Sequence, residues 1–278
     1  MKQAALALIF VLSWPSGSES QTEESSRFSF FPTNTQFPPL FANHEEPRMG
    51  LQQDIGSSNM TVAVGNITDI VQYAHAGDTV RWGADFFVYA LSDDYRGYRL
   101  KIAAADGFFG IHFTYNNNSP WSFRFRALHY SAHLVDGHFD SDNLTWKDGL
   151  IPFPFSRNYG ELLAAYEGLI ASVKVRCYSG FSYSVFNKPK EIRRFTTLHG
   201  IEARVGGAPV FYGAYNLTLM GVPEYNGSNT LEAGIKLGTW YGRGLRIYLN
   251  YYNGLDWFGE FYNQRKEAWS VGFTFDFW

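Results

Sequence analysis

Every second residue is apolar over long stretches of this chain, from about Met60 to the C-terminus, and that pattern restricts the fold more than any other feature. Val80, Trp82, Ala84, Phe86 and Val88 alternate with Arg81, Gly83, Asp85 and Tyr89. Trp121, Phe123 and Phe125 alternate with Ser122, Arg124 and Arg126, and Val173, Val175 and Cys177 with Lys174, Arg176 and Tyr178. A period of two marks strands whose two faces meet different surroundings. A soluble sandwich also alternates. Here, however, the second face carries long charged groups among glycine and tyrosine, the arrangement of a transmembrane barrel that is apolar toward lipid and polar within. Strands of about 10 residues cross the hydrocarbon layer when tilted. A repeat of about 20 residues then gives about 12 of them, an even number. Thirteen stretches qualify, including separate ones at 97–104 and 106–117, so one assignment fails or two merge.

The expected fold class is therefore all-β: a transmembrane antiparallel β-barrel of about 12 strands. The closing stretch puts Val271, Phe273, Phe275 and Phe277 on one face, opposite Ser270, Gly272, Thr274 and Asp276. With Trp278 one residue beyond, this aromatic stripe resembles the C-terminal signal that the outer-membrane assembly machinery reads in bacterial barrels. Aromatic residues make up 18% of the chain, which suits both strands and membrane interfaces.

The N-terminus points to export. Lys2 precedes an apolar core, Ala4–Leu12, and Ser18-Glu19-Ser20 offers small residues where a signal peptidase cuts, before Gln21. The expected organisation is a signal peptide over 1–20, a periplasmic N-terminal arm over 21–58, rich in proline and serine, and an outer-membrane barrel over 59–278. No later apolar run is long enough for a spanning helix; the best, Glu161–Val173, carries Glu161 and Glu167. A single cysteine, Cys177, excludes an internal disulfide framework and a multi-cysteine zinc site. A formal charge of -3 gives no basic signature of a nucleic-acid binder.

The inward parity collects Arg81, Arg124, Arg126, Lys174, Arg176, Arg204, Lys236 and Arg246 against Asp85, Glu202, Glu232 and Asp276. Facing ions can fill a narrow barrel and close it, whereas rings of Arg and Lys select anions in an open one. At about 12 strands the filled interior is the expected outcome, since open channels belong mainly to wider barrels.

The outward parity of Trp121–Leu134 continues through Ala127 to His129, Ser131 and His133. Three polar residues in a row toward lipid are costly, and cost invites a functional explanation. Ser131 could attack an ester carbonyl while His129 takes its proton. Asp136, Asp140, Asp142, Asn143 and Glu161 are the candidates to orient the imidazole, and the spacing does not choose among them. Such a site needs no organic cofactor; a calcium requirement stays open. The competing readings of this trio are a polar patch at the membrane rim and metal binding by His129 and His133.

His129-Tyr130-Ser131 resembles the His-x-Ser motif of outer-membrane phospholipase A and of the lipid A deacylase barrel. In both, the pair lies on the barrel exterior with an Asn or Glu on the following strand. A wider resemblance covers most of the chain. Phe37–Gly50 (FPPLFANHEEPRMG), His129-x-Ser131-x-His133-x-x-Asp136, Arg157-Asn158-Tyr159 with Glu161, Tyr251-Tyr252-Asn253-Gly254 and Gly259-Glu260-Phe261-Tyr262 are similar to the barrel family called domain of unknown function 1207. That resemblance implies the fold and an outer-membrane location and brings no activity with it. Two functions are expected from the residues. One is an esterase acting on outer-leaflet lipid. The other is a non-enzymatic barrel, either a small anion-preferring pore or a structural protein. Outer-membrane lipids and the assembly machinery are the expected partners.

Overall fold

The computed structural model describes residues 26–94 and 100–277. The expected signal peptide and Trp278 lie outside them. The wall is a closed antiparallel barrel with twelve strand positions. In chain order the strands are β1 (Arg27–Phe30), β2 (Gly50–Asp54), β3 (Met60–His75), β4 (Asp78–Asp94), β5 (Lys101–Asn116), β6 (Trp121–Leu134), a small loop hairpin β7 (Phe139–Asp140) and β8 (Thr145–Trp146), β9 (Phe155–Ile170), β10 (Val173–Lys188), β11 (Phe195–Gly206), β12 (Val210–Gly221), β13 (Tyr225–Gly238), β14 (Gly244–Leu255) and β15 (Arg265–Asp276). Each wall strand pairs with its sequence neighbour. β6 meets β9 across the long loop, and β2 closes the ring by pairing with both β15 and β3. Closure is what allows a sheet to span lipid, because no backbone group is left at an edge in hydrocarbon.

From Lys101 onward the two stretches expected at 97–104 and 106–117 are one strand, and residues 97–99 lie outside the described ones. β5 runs unbroken through Asp106 and Gly107, paired to β4 and β6 on either side. Asp106 points inward, where it accepts hydrogen bonds from Tyr130 and the Gly259 amide, so the acid marks a lumen position and no turn.

Short turns gather at one rim. Ala76-Gly77, both at positive φ, form a two-residue hairpin turn, and Ala171-Ser172 form another. The C-terminal strand ends at the same rim, and longer loops such as 135–154 and 256–264 emerge at the other. In bacterial barrels short turns face the periplasm and long loops the outside. The exterior between the rims is apolar, with Phe109, Ile111, Phe113, Phe125, Leu162, Phe181, Phe211, Leu249, Val271 and Phe275 exposed. A closed barrel with this lipid-facing belt is an outer-membrane protein.

The segment expected as an arm beneath the wall lies inside it. β1 pairs with the last residues of β3, Val71–Ala74, and β2 with its first, Met60–Ala63, both on the same edge. They are two pieces of one strand position. Between them the chain leaves the wall at Phe31, crosses the lumen and returns at Met49. Apolar arm residues explain the detour, since Phe37, Leu40, Phe41 and Ala42 are fully or almost fully buried there. Phe37 lies between the guanidinium groups of Arg124 and Arg176, 4.7 and 4.8 Å away, and Phe41 lies 3.9 Å from that of Arg246. Glu46 ion-pairs with Arg124 and Arg126, and Arg48 with Glu232 at 3.4 Å.

The other lumen charges are paired among themselves. Arg124 and Arg126 share Glu161 at 3.1 and 2.8 Å, Arg176 meets Glu202 at 3.3 Å, and Lys236 meets Asp276 at 2.6 Å. Arg81 bonds Asp69 at 3.0 Å. Asp85 and Asp69 flank His112 at 3.0 and 2.8 Å. Lys174 differs: it is exposed near the short-turn rim. From the opposite rim the loop 256–264 folds inward. Its Phe258, Phe261 and Tyr262 join Phe87, Phe108, Tyr130 and Phe155 in an aromatic cluster. Gly259 permits this approach, because a Cβ there would stand 2.6 Å from that of Ala132. Arm and loop meet where His44 stacks on Trp257 at 4.0 Å. A cavity of about 70 Å³, bordered by Asn43, Arg157, Asn216 and Tyr252, remains between them.

Candidate active site on the lipid-facing wall

β6 keeps strict parity along its length. Arg124, Arg126, Leu128, Tyr130 and Ala132 are buried inward, while Phe123, Phe125, His129, Ser131 and His133 face out. No bulge turns the strand, so the three polar residues do lie on the lipid side. They stand near the end of β6 that enters the loop 135–154, at the outer side of the membrane.

Register supplies the neighbours. His129 lies opposite Phe109 of β5 and Asn158 of β9. Its Nδ1 is 2.5 Å from the Asn158 Oδ1, and its ring packs on Phe109 with centroids 4.6 Å apart. An amide oxygen only accepts, so Nδ1 carries the proton and Nε2 keeps its lone pair, the tautomer a general base needs. Ser131 lies between Gly107 of β5 and Ser156 of β9. A Cβ at Gly107 would sit 3.8 Å from the Ser131 Oγ, so the glycine leaves one flank of the hydroxyl open. Gly160, on the same face of β9, lets the Phe125 ring lie close, while Phe109 and Phe186 stand opposite His129 and Asn158 in register. Among the described residues Ser131 and His129 form no hydrogen bond with each other. Catalytic contacts of that kind commonly tighten only when substrate is bound.

Asn158 is the side chain bonded to His129, and none of the acids near the end of β6 takes that place. Asp136 begins the turn after β6 and forms no hydrogen bond with His129, Ser131 or His133 among the described residues. Asp140 is occupied by Asp142 and Asn143, whose amides it caps at 3.0 and 3.2 Å. Glu161 has inward parity and binds Arg126, on the far side of the wall. His133, exposed, stands opposite Ala105. His138 turns into the mouth and packs edge-on against Phe261. Among the described residues no three of His, Cys, Asp and Glu gather as a metal site would require. The signal for Asn158 was in the sequence: it begins the alternation Asn158, Gly160, Leu162 outward and Tyr159, Glu161, Leu163 inward. Spacing alone could not give the register that sets it beside His129.

The terminal stripe is in place, with Phe273, Phe275 and Phe277 on the lipid side of β15. The profile of the family described as protein of unknown function (DUF1207) matches residues 59–277. The chain belongs to that family. The matched residues span β3 to β15, so the family's shared unit includes the whole of this site and every wall strand except the split one. Among solved structures the chain is similar to the β domain of the Bordetella autotransporter BrkA, at 12% identity and a TM-score of 0.46, over 82% of this chain and 96% of that one. It is also similar to OmpT, an outer membrane protein of Vibrio cholerae, at 10% identity and a TM-score of 0.34, over 82% and 94%. No curated protein matches in sequence.

Proposed function

We propose that this DUF1207 barrel is a serine esterase of outer-leaflet lipid, with Ser131 as nucleophile, His129 as general base and Asn158 as its positioning residue. The observation that carries the reading is the His129–Asn158 hydrogen bond on the lipid-facing surface, two residues from a serine whose flanks are glycine and serine. The His129 Nε2 takes the Ser131 proton as Oγ adds to the ester carbonyl. The tetrahedral adduct collapses, and the imidazolium returns the proton to the leaving lipid alkoxide. Water, deprotonated by the same nitrogen, then frees the fatty acid and restores Ser131. Ser156, directly opposite Ser131, provides the nearest hydroxyl donor on that face for the developing oxyanion. An outward site suits a substrate that arrives sideways through the bilayer.

Against an anion-preferring pore stands the interior, where arm and loop occupy the lumen and the cations are largely paired. The test is lipid mass spectrometry on the purified barrel in detergent, with Ser131→Ala beside it. Fatty-acid release by the native protein alone, with both proteins showing the same heat-modifiable migration, is the expected result. Equal release by Ser131→Ala, or none from any lipid with or without calcium, would remove the esterase.

A further inference from the structure

Charge is unevenly spread over the outer rim. The loop 135–154 carries Asp136, Asp140, Asp142 and Asp148 against Lys147, which is itself paired with Asp93 at 2.9 Å. Residues 222–224 add Glu224, 256–264 add Asp256 and Glu260, and 55–59 hold no charge. Residues 95–101 add Arg96, Arg99 and Lys101 in sequence, and the connection from β10 to β11 is basic as well. It carries Lys188, Lys190, Arg193 and Arg194, all exposed, and its one acid, Glu191, accepts a hydrogen bond from Tyr262. Among the described residues Lys188, Lys190 and Arg194 form no ion pair. Arg193 spends its Nε on the Pro223 carbonyl at 2.8 Å and keeps its outer nitrogens.

Register ties this basic segment to the candidate site. Gly107, Ser131, Ser156 and Lys188 are successive partners across β5, β6, β9 and β10, all on the outward face. Two strand spacings put the Lys188 backbone about 10 Å from that of Ser131. Exposed Phe186 and the stacked pair Phe181 and Phe195 lie below it on β10 and β11. An amphiphile lying here meets apolar wall below, a nucleophile beside it and cations above.

We propose that the substrate of this site is a phosphate-bearing lipid, its phosphate held by Lys188 with Lys190 and Arg194 while its ester reaches Ser131. The assignment rests on the esterase reading for its substrate role, but the binding stands apart from it. A phosphate against Lys and Arg forms charge-assisted hydrogen bonds. An uncharged diacylglycerol would gain none of this.

The experiment uses the full-length Ser131→Ala barrel, which cannot turn substrate over, in neutral detergent. It is incubated with phosphatidylglycerol or with diacylglycerol of the same chains, and co-purified lipid is quantified. Phosphatidylglycerol should be retained about tenfold over diacylglycerol, and the triple variant Lys188→Gln, Lys190→Gln, Arg194→Gln should lose that preference. Lys188→Arg alone should keep it. Equal retention of both lipids, or an unchanged preference in the triple variant, would overturn the proposal. So would displacement of the lipid by inorganic phosphate alone, which would make this a free-phosphate site. Retention without any Ser131-dependent release in the native barrel would sink the esterase while leaving the lipid site standing.

Discussion

Glu46 offers the sharpest test of the arm. Its carboxylate and that of Glu161 together neutralise Arg124 and Arg126, and all four side chains are at most 1% exposed. Glu46→Gln keeps the shape and removes one negative charge, leaving a buried guanidinium without its counter-ion. Breaking a buried pair from one side costs about 3–5 kcal/mol. The wall does not depend on Glu46, so the cost falls on local release of the arm. At 1.4 kcal/mol per factor of ten, the released fraction rises between about a hundredfold and a few thousandfold. The reporter is Ala42→Cys, a position with no exposure, in a Cys177→Ala background because Cys177 is exposed. A membrane-impermeant maleimide should label it at a rate that follows this opening. Glu45→Gln is the comparison: Glu45 bridges Arg157 at 3.3 Å with its own side chain 32% exposed and that of Arg157 2% exposed, so solvent at the carboxylate takes up part of the loss and the rise should be smaller than in Glu46→Gln. Adding Arg126→Met to Glu46→Gln restores neutrality and should return most of the protection. Unchanged labelling in Glu46→Gln, or an equal rise in Glu45→Gln, would refute the reasoning.

Further outcomes are expected at Asn158 and at Glu260. Asn158→Ala should lower kcat on the order of 10²-fold with little change in KM, because it frees the His129 ring without touching the lumen. Asn158→Asp, which can still accept from the His129 Nδ1, should keep most of the rate; a loss as large as that of Asn158→Ala would argue against the contact in solution. Burial pushes the Glu260 carboxyl up to about 7, and neither of its oxygens has a hydrogen-bond partner among the described residues. A raised acid binds its proton more tightly folded than unfolded, so the loop 256–264 should lose stability as pH climbs from about 4.5 through 7. Hydrogen exchange of that loop should show this fall, and Glu260→Gln should flatten it; an equal slope in the variant would exclude Glu260 as the source.

Parity was legible in the sequence because a period of two needs no tertiary knowledge. Arg124 and Arg126 inward, with His129, Ser131 and His133 outward, follow from counting along one strand. The error around Ala105 arose where a lumen acid and a glycine imitate a turn, and the continuous pairing to β4 and β6, with Asp106 bonded to Tyr130, shows otherwise. Two features lay beyond reach. The arm reads as irregular because Phe37 and Phe41 satisfy themselves against arginines contributed by distant strands, which no local pattern reveals. Asn158 is 29 residues from His129, and the 20-residue loop between β6 and β9 hides the register that joins them. The nearer acids were plausible by distance along the chain, but Asp140 is spent on its own turn and Glu161 belongs to the other face.

The split strand has a topological consequence. A stopper carried on a loose tail could be drawn out of the barrel and put back. Here the occupying segment is stitched into the wall at both ends, through β1 on one side and β2 on the other. β2 is also the strip that joins β15 to β3, so the ring cannot be completed until residues 31–49 are already inside it. Enclosure and closure are one event in assembly, and the contents of this barrel are as permanent as its circumference.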